Sequence, residues 1–371
     1  MSGERHLDVV RHVAHGRWDA LRAMRPDGGG EDFALYAARH HVAHYVLARG
    51  GPALPPAWLG PLRAEVARRG EREARVPAVM AEAVGALKGA GVGCLVLKGL
   101  PFAERYYGGA ALRRTLDVDL LVREADADPA LRALLALGWR APPRRLVRTP
   151  DGPAIRRHRL RTEHALPLAR GDVPVDLHWR LRTAPAYRIR EDDVWAGARR
   201  VRAAGVDCDV PSDEYALVLL LLSIAHDLGR CRCRLKHLLD ARQLVRAADL
   251  DWPRFLAKRA EENVLGIAVN ALGIVLDVLD CRDEAPRLAE ALRPHAPLRV
   301  PADAVALLQR APGGVENAFW FARVYPIAWG RDALWWIDRN LSHPGRLPIS
   351  LYRGLRFGVR SIRHLVAGPR G

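Results

Sequence analysis

Asp117 and Asp119 stand one residue apart in the stretch Arg113-Arg-Thr-Leu-Asp-Val-Asp-Leu-Leu-Val122. If this stretch is a strand, residues i and i+2 point to the same face. Two carboxylates on one face, flanked by apolar residues, repel each other and lose hydration, so something cationic must offset the cost. Hard divalent cations with oxygen ligands do this, and two such ions about 4 Å apart can clamp a phosphoryl transfer. Val175-Asp-Leu-His-Trp179 is a second apolar stretch, and its Asp176 can supply a third carboxylate. The competing account of Asp-x-Asp alone is a strand end with two solvated acids.

Lys98-Gly99 closes the run Leu95-Val-Leu-Lys-Gly99. Gly99 falls where a strand should hand over to a helix, which lets the backbone approach a phosphate at the helix N-terminus. Lys98 adds a positive charge beside it. The chain has four lysines, at 88, 98, 236 and 258, so a general preference for lysine does not explain this one. Arg113 and Arg114 precede the carboxylates and are candidates for phosphate oxygens, although arginine is abundant throughout. By alternation His178 shares the face of Asp176, where it could orient that carboxylate, touch the substrate or serve as a hydrogen-bonded structural residue. Trp179 is expected in the core, and His164 has the same ambiguity as His178. His226, Cys231, Cys233 and His237 crowd together, but Cys-x-Cys in a helical context is a poor fit to a structural zinc site.

The elements that must position these residues follow from periodicity. Residues 1 to 90 read as helices, with Ala, Leu and Val alternating with Arg and Glu. Gly93 to Leu97 and Val118 to Val122 are short apolar runs expected to be buried strands. Between them Leu100 to Tyr107 can form a helix. Asp128 to Leu137 is predicted helical, with Asp128 as N-cap and Gly138 as the stop. Leu160 to Ala169 and Val173 to His178 read as two strands around the turn Arg170-Gly-Asp172. Ser212 can cap a helix holding Tyr215 to His226. Further helices are expected at 235–247, 264–279, 302–309 and 332–340. The fold class is therefore α+β: a small mixed sheet between residues 92 and 180, a helical arm before it and a larger helical region after it. Boundaries are expected near 90, 210 and 345, giving a helical region (1–90), a core (91–210), a helical domain (211–345) and a tail (346–371).

Three elements in order, Leu-Lys-Gly, then Arg followed by Asp-Val-Asp-Leu-Leu-Val, then Asp-Leu-His-Trp, resemble a bacterial family of uncharacterised nucleotidyltransferases in the DNA polymerase β-type superfamily. The resemblance covers about residues 80 to 260, with a weaker match at Leu235-Lys-His-Leu-Leu-Asp240. It implies a nucleotidyltransferase core in which Asp117 and Asp119 bind both metals. Asp176 binds the catalytic metal and has a further implied part in deprotonating the acceptor hydroxyl. Gly99 takes the place of a Gly-Ser turn, and Lys98 contacts the triphosphate. The implied cofactor is magnesium, with manganese as the alternative, and the implied substrate is an NTP such as ATP. Leu100 stands where many relatives have Ser, and the gap from Gly99 to Asp117 is longer than in compact members.

The expected reaction is transfer of a nucleoside monophosphate from an NTP to an acceptor: a small molecule, a peptide, a protein or an RNA. The alternatives are a catalytically silent nucleotide sensor or scaffold, and a toxin-type transferase acting on RNA. The net charge of +16, from 58 bases against 42 acids, favours anionic partners. Five cysteines without disulfide-like spacing, and an N-terminus without an apolar signal core, point to a cytoplasmic setting. After Asp338 the chain has no acidic residue, and Tyr352, Leu355, Val359, Ile362 and Val366 recur at helical spacing among arginines. A basic amphipathic helix is expected there, docking on the protein's own body, on RNA or on a membrane surface.

Overall fold

A computed structural model describes residues 2–24, 30–141, 164–181, 187–228 and 234–295. The expected helices at 302–309 and 332–340 and the basic tail lie outside the described residues, as do residues 160–163 of the third expected strand.

The chain is an α+β fold. Five helices come first: α1 (Ser2–His15), α2 (Trp18–Ala23), α3 (Gly30–Arg39), α4 (Ala43–Gly50) and the long α5 (Pro56–Gly89). Pro56 opens α5 in the first turn, where a missing N–H costs no intrahelical hydrogen bond. Then come β1 (Cys94–Val96), α6 (Leu100–Tyr107), β2 (Val118–Val122), α7 (Ala127–Ala136), β3 (Ala165–Arg170) and β4 (Val173–His178). After α8 (Glu191–Ala196) a hairpin follows, β5 (Arg199–Ala203) and β6 (Val206–Val210). The helices α9 (Asp213–Leu228), α10 (Leu235–Ala247), α11 (Trp252–Glu261), α12 (Leu265–Val278) and α13 (Pro286–Leu292) complete the described chain. Ser212 caps α9 as expected, its Oγ accepting the Tyr215 N–H. Among the described residues no helix is long and apolar enough to cross a membrane.

The six strands form one mixed sheet in the order β3-β4-β2-β1-β6-β5. The sheet is larger than the expected segment 92–180, because the β5–β6 hairpin adds to it beside β1, with Leu95 opposite Asp209. Ala204 and Gly205 both have positive φ, 48° and 81°, the backbone of a tight two-residue hairpin turn. The hairpin's alternating Arg and Asp side chains hid it from a reading based on apolar runs.

Alternation divides the two faces of this sheet. Val118, Leu120 and Val122 of β2, with Val173, Val175 and Leu177 of β4, pack against Val76, Met80, Ala83 and Leu87 of α5 and Leu131 and Leu134 of α7. Each such side chain contributes about 1.5–3 kcal/mol when fully buried. Trp179 joins the same core, as expected. The opposite face carries Asp119, Asp176 and His178. On that side Leu95 and Leu121 join a second core with Phe102 and Tyr106 of α6 and the helices after the sheet. Helices α9 and α12 are apolar nearly all round, as helices at the centre of a core must be.

Candidate functional site

The parallel pairing of β2 with β4 sets the site. Asp119 lies opposite Asp176 and Leu121 opposite His178. The apolar face already described is what forces 119, 176 and 178 to the other side, since a slip of one residue would bury all three in the core. Asp117 sits just before β2 rather than within it, and 38% of its side chain is exposed, against 5% for Asp119.

Lys98 follows β1 and reaches both carboxylates. Its Nζ lies 3.1 Å from Asp119 Oδ2 and 3.8 Å from Asp117 Oδ2. Burial alone would depress the lysine, but Asp119 and then Asp117 outweigh it, and its pKa is raised. Burial likewise pushes Asp119 upward, and the Lys98 and His178 charges more than reverse this, so Asp119 stays ionised. Asp176 goes the other way: burial, and then the neighbouring Asp119 charge, raise it to about 6. The His178 Nε2 stands 3.3 Å from Asp119 Oδ1, so the histidine faces Asp119 across the strands. His164 stacks obliquely on His178 with ring centroids 5.8 Å apart.

Gly99 occupies the turn from β1 into α6 with φ 82° and ψ −132°, a backbone that side-chain-bearing residues avoid. A Cβ there would meet Thr115 Cγ2 at 3.3 Å. The Gly99 carbonyl accepts the Ala103 N–H at 3.0 Å and a guanidinium N–H of Arg113 at 3.3 Å.

The structure brings Lys98, Gly99, Asp117, Asp119, Asp176 and His178 together; Arg113 borders them through the Gly99 carbonyl, whereas Arg114 points away. Arg113 is buried, with a two-pronged ion pair to Asp240 of α10 at 2.8 and 2.9 Å. Tyr107 donates to the same Asp240 oxygen at 2.7 Å. Arg114 turns to the helical arm, its Nε 3.6 Å from Glu73 of α5, and lines a small cavity with Ala38, His41, Ala43, His44 and Glu65. Of the crowded His and Cys residues, Cys231 and Cys233 lie outside the described residues, and His237 pairs with Asp227 at 3.1 Å.

Lys236 was missed. In the first turn of α10 it faces Arg113, Asp240, Lys98 and Asp117, and burial together with the Arg113 charge pushes its pKa down to about 7. The scarcity of lysine was the available signal, since two of four lysines converge on one site.

The donor set suits a hard divalent cation. Two carboxylates, at 117 and 119, meet Lys98, a third at 176 stands opposite Asp119, and donor atoms of Asp119, Asp176 and His178 lie within 4.8 Å of one another. No curated protein and no solved structure matches the chain. The family of uncharacterised nucleotidyltransferases matches residues 29–280, well over half the sequence and all of the site, and the chain belongs to that family.

Proposed function

We propose that the protein transfers a nucleoside monophosphate from an NTP to an acceptor hydroxyl, releasing pyrophosphate, with a core of the DNA polymerase β type. The observation that carries this reading is the pairing of Asp119 with Asp176 across β2 and β4, beside Lys98 and the Gly99 turn. Asp117, Asp119 and Asp176 would hold divalent metal, magnesium in the simplest case. Bound there, the metal supplies charge neutralisation at the phosphates and activation of the attacking oxygen. The chain's own groups do the positioning. The Gly99 turn lets the backbone of α6 approach a phosphate, while Lys98 adds positive charge and Lys236, with its pKa lowered to about 7, gains a proton as phosphate charge arrives. Phosphoryl-type transfers need little covalent help, so such positioning and charge account for the catalysis. The excess of basic residues favours a polyanionic acceptor, RNA among the candidates.

Two outcomes are expected. Lys98→Ala raises the KM for NTP in steady-state assays, on the order of tenfold for loss of one charge-assisted contact. An unchanged KM removes Lys98 from the phosphate role. The second concerns pH. With its pKa raised to about 6, Asp176 is protonated below that value, so a metal ion must displace a proton there. Metal affinity therefore falls through pH 6, by about tenfold per pH unit below it, where an ordinary carboxylate would leave it flat. Calorimetric metal titrations between pH 5 and 7.5 check this, and a flat profile contradicts it. The test of the function itself is label transfer from an α-labelled NTP, compared between the intact protein and its Asp119 variant.

A further inference from the structure

One of the groups that meets Asp119 in the site is a histidine nitrogen. His178 Nε2 stands 3.3 Å from Asp119 Oδ1, and one donor atom each from Asp119, Asp176 and His178 lies within 4.8 Å of the other two. Asp117 falls outside this set, its carboxylate facing Lys98 at 3.8 Å. We propose that His178 is a direct ligand, with Asp119 and Asp176, of one divalent ion, and that the site prefers manganese or a related first-row transition ion to magnesium. This rests on reading the site as a metal centre.

The spacing supports coordination. At bond lengths of about 2.1 Å, neighbouring ligands of an octahedral ion stand about 3 Å apart and opposite ones about 4.2 Å. The 3.3 Å between nitrogen and oxygen fits a neighbouring pair, and the 4.8 Å set closes by a few tenths of an ångström per ligand. A charge-assisted hydrogen bond from imidazole to carboxylate settles at about 2.7–2.9 Å, so the observed separation is long for that role alone. The other ring nitrogen, Nδ1, is buried without a hydrogen-bond partner among the described residues, so the ring engages its surroundings through Nε2. The strands also fix the three side chains: 176 and 178 share one face of β4, and 119 is in register with 176. The Asp119 side chain is only 5% exposed, so its position is set by packing rather than by solvent.

Ligand type then decides the ion. Magnesium favours oxygen donors, keeps its waters and tolerates little departure from ideal geometry. Imidazole suits transition ions, and manganese accepts mixed nitrogen and oxygen donors. Replacing one carboxylate by an imidazole in the inner set therefore weakens magnesium more than manganese.

The test uses the full chain stripped of metal, titrated with Mn2+ alone and with Mn2+ in competition with Mg2+, each without and with a non-hydrolysable NTP. Pulsed electron paramagnetic resonance reads direct nitrogen coupling to Mn2+, and 15N-histidine labelling of the wild type identifies the nitrogen without any mutation. The expected result is a histidine nitrogen coupling and Mn2+ binding on the order of tenfold or more tighter than Mg2+. His178→Gln, with a thermal melt to confirm folding, should lose the coupling and most of that preference. Bound Mn2+ without histidine coupling in the wild type would overturn the proposal and leave His178 as a residue that orients Asp119. An unchanged preference in folded His178→Gln would overturn it as well. If the wild type binds neither ion, the metal-centre reading itself fails and takes this inference with it. If Mn2+ binds through His178 but no nucleotidyl transfer occurs, the functional reading fails and the ligand assignment stands.

Discussion

Asp119→Asn abolishes nucleotidyl transfer, with an expected loss of at least about a thousandfold in kcat/KM, the scale on which removing electrostatic stabilisation of a transition state acts. The substitution barely changes side-chain volume, so it does not disturb the packing of β2. It removes a group that faces Lys98, His178 and the opposite Asp176 at once. Its effect on stability should be small by comparison. Lys98 loses a partner at 3.1 Å, but its side chain is 39% exposed and can turn to water. A second consequence separates charge from shape. The Asp119 charge helps raise Asp176, so in the variant the Asp176 carboxyl should titrate below about 6. Carbon-detected NMR of the carboxyl groups reads this directly. Activity within a few-fold of wild type in a folded Asp119→Asn protein would remove Asp119 from the chemistry.

Asp240→Ala costs about 3–5 kcal/mol of folding stability, because it leaves Arg113 buried without its counter-charge. The Arg113 and Asp240 side chains are 2% and 0% exposed, so water cannot take over the lost contacts. Burial would raise the Asp240 carboxyl, and the Arg113 charge holds it below the ordinary range instead. Tyr107 loses its acceptor in the same step. A paired substitution tells stability apart from positioning. Arg113→Met with Asp240→Leu replaces the ion pair by apolar groups of similar volume, which is often neutral or stabilising. The double variant should regain most of the lost stability in urea titrations. It should still bind NTP weakly, because the Gly99 carbonyl no longer receives the guanidinium N–H at 3.3 Å. Wild-type nucleotide affinity in the stable double variant would show that Arg113 serves packing alone.

The site's inner residues were legible because they lie on strands with one wholly apolar face. In Val118 to Val122 and Val173 to His178 the alternation itself marks which side chains point away from the core, and both strands occur where expected. The helices at 100–107 and 235–247 were equally readable, each with an unbroken period and a clear break on either side. The helix expected at 128–137 runs one residue earlier, with Asp128 inside its first turn and paired to Arg132 rather than capping. The β5–β6 hairpin was not legible, since strands carrying Arg and Asp on one face look like solvated loop. Nor could sequence separate Arg113 from Arg114. Adjacent residues of one type go to opposite sides of a chain, and only tertiary packing decides that one meets Asp240 and the other Glu73. Lys236 illustrates the same limit, because its approach to Lys98 and Asp117 depends on how α10 docks against the sheet.

Nucleotidyl transfer is read by incubating the purified protein with each α-labelled NTP, a divalent metal (Mg2+ and Mn2+ in parallel) and a whole-cell extract, beside Asp119→Asn. Label is expected on a small molecule, peptide, protein or RNA with the wild type and none with the variant. Absence of transfer from every NTP with either metal, while metal-dependent NTP binding persists, would contradict this expectation and mark the protein as a nucleotide sensor or scaffold.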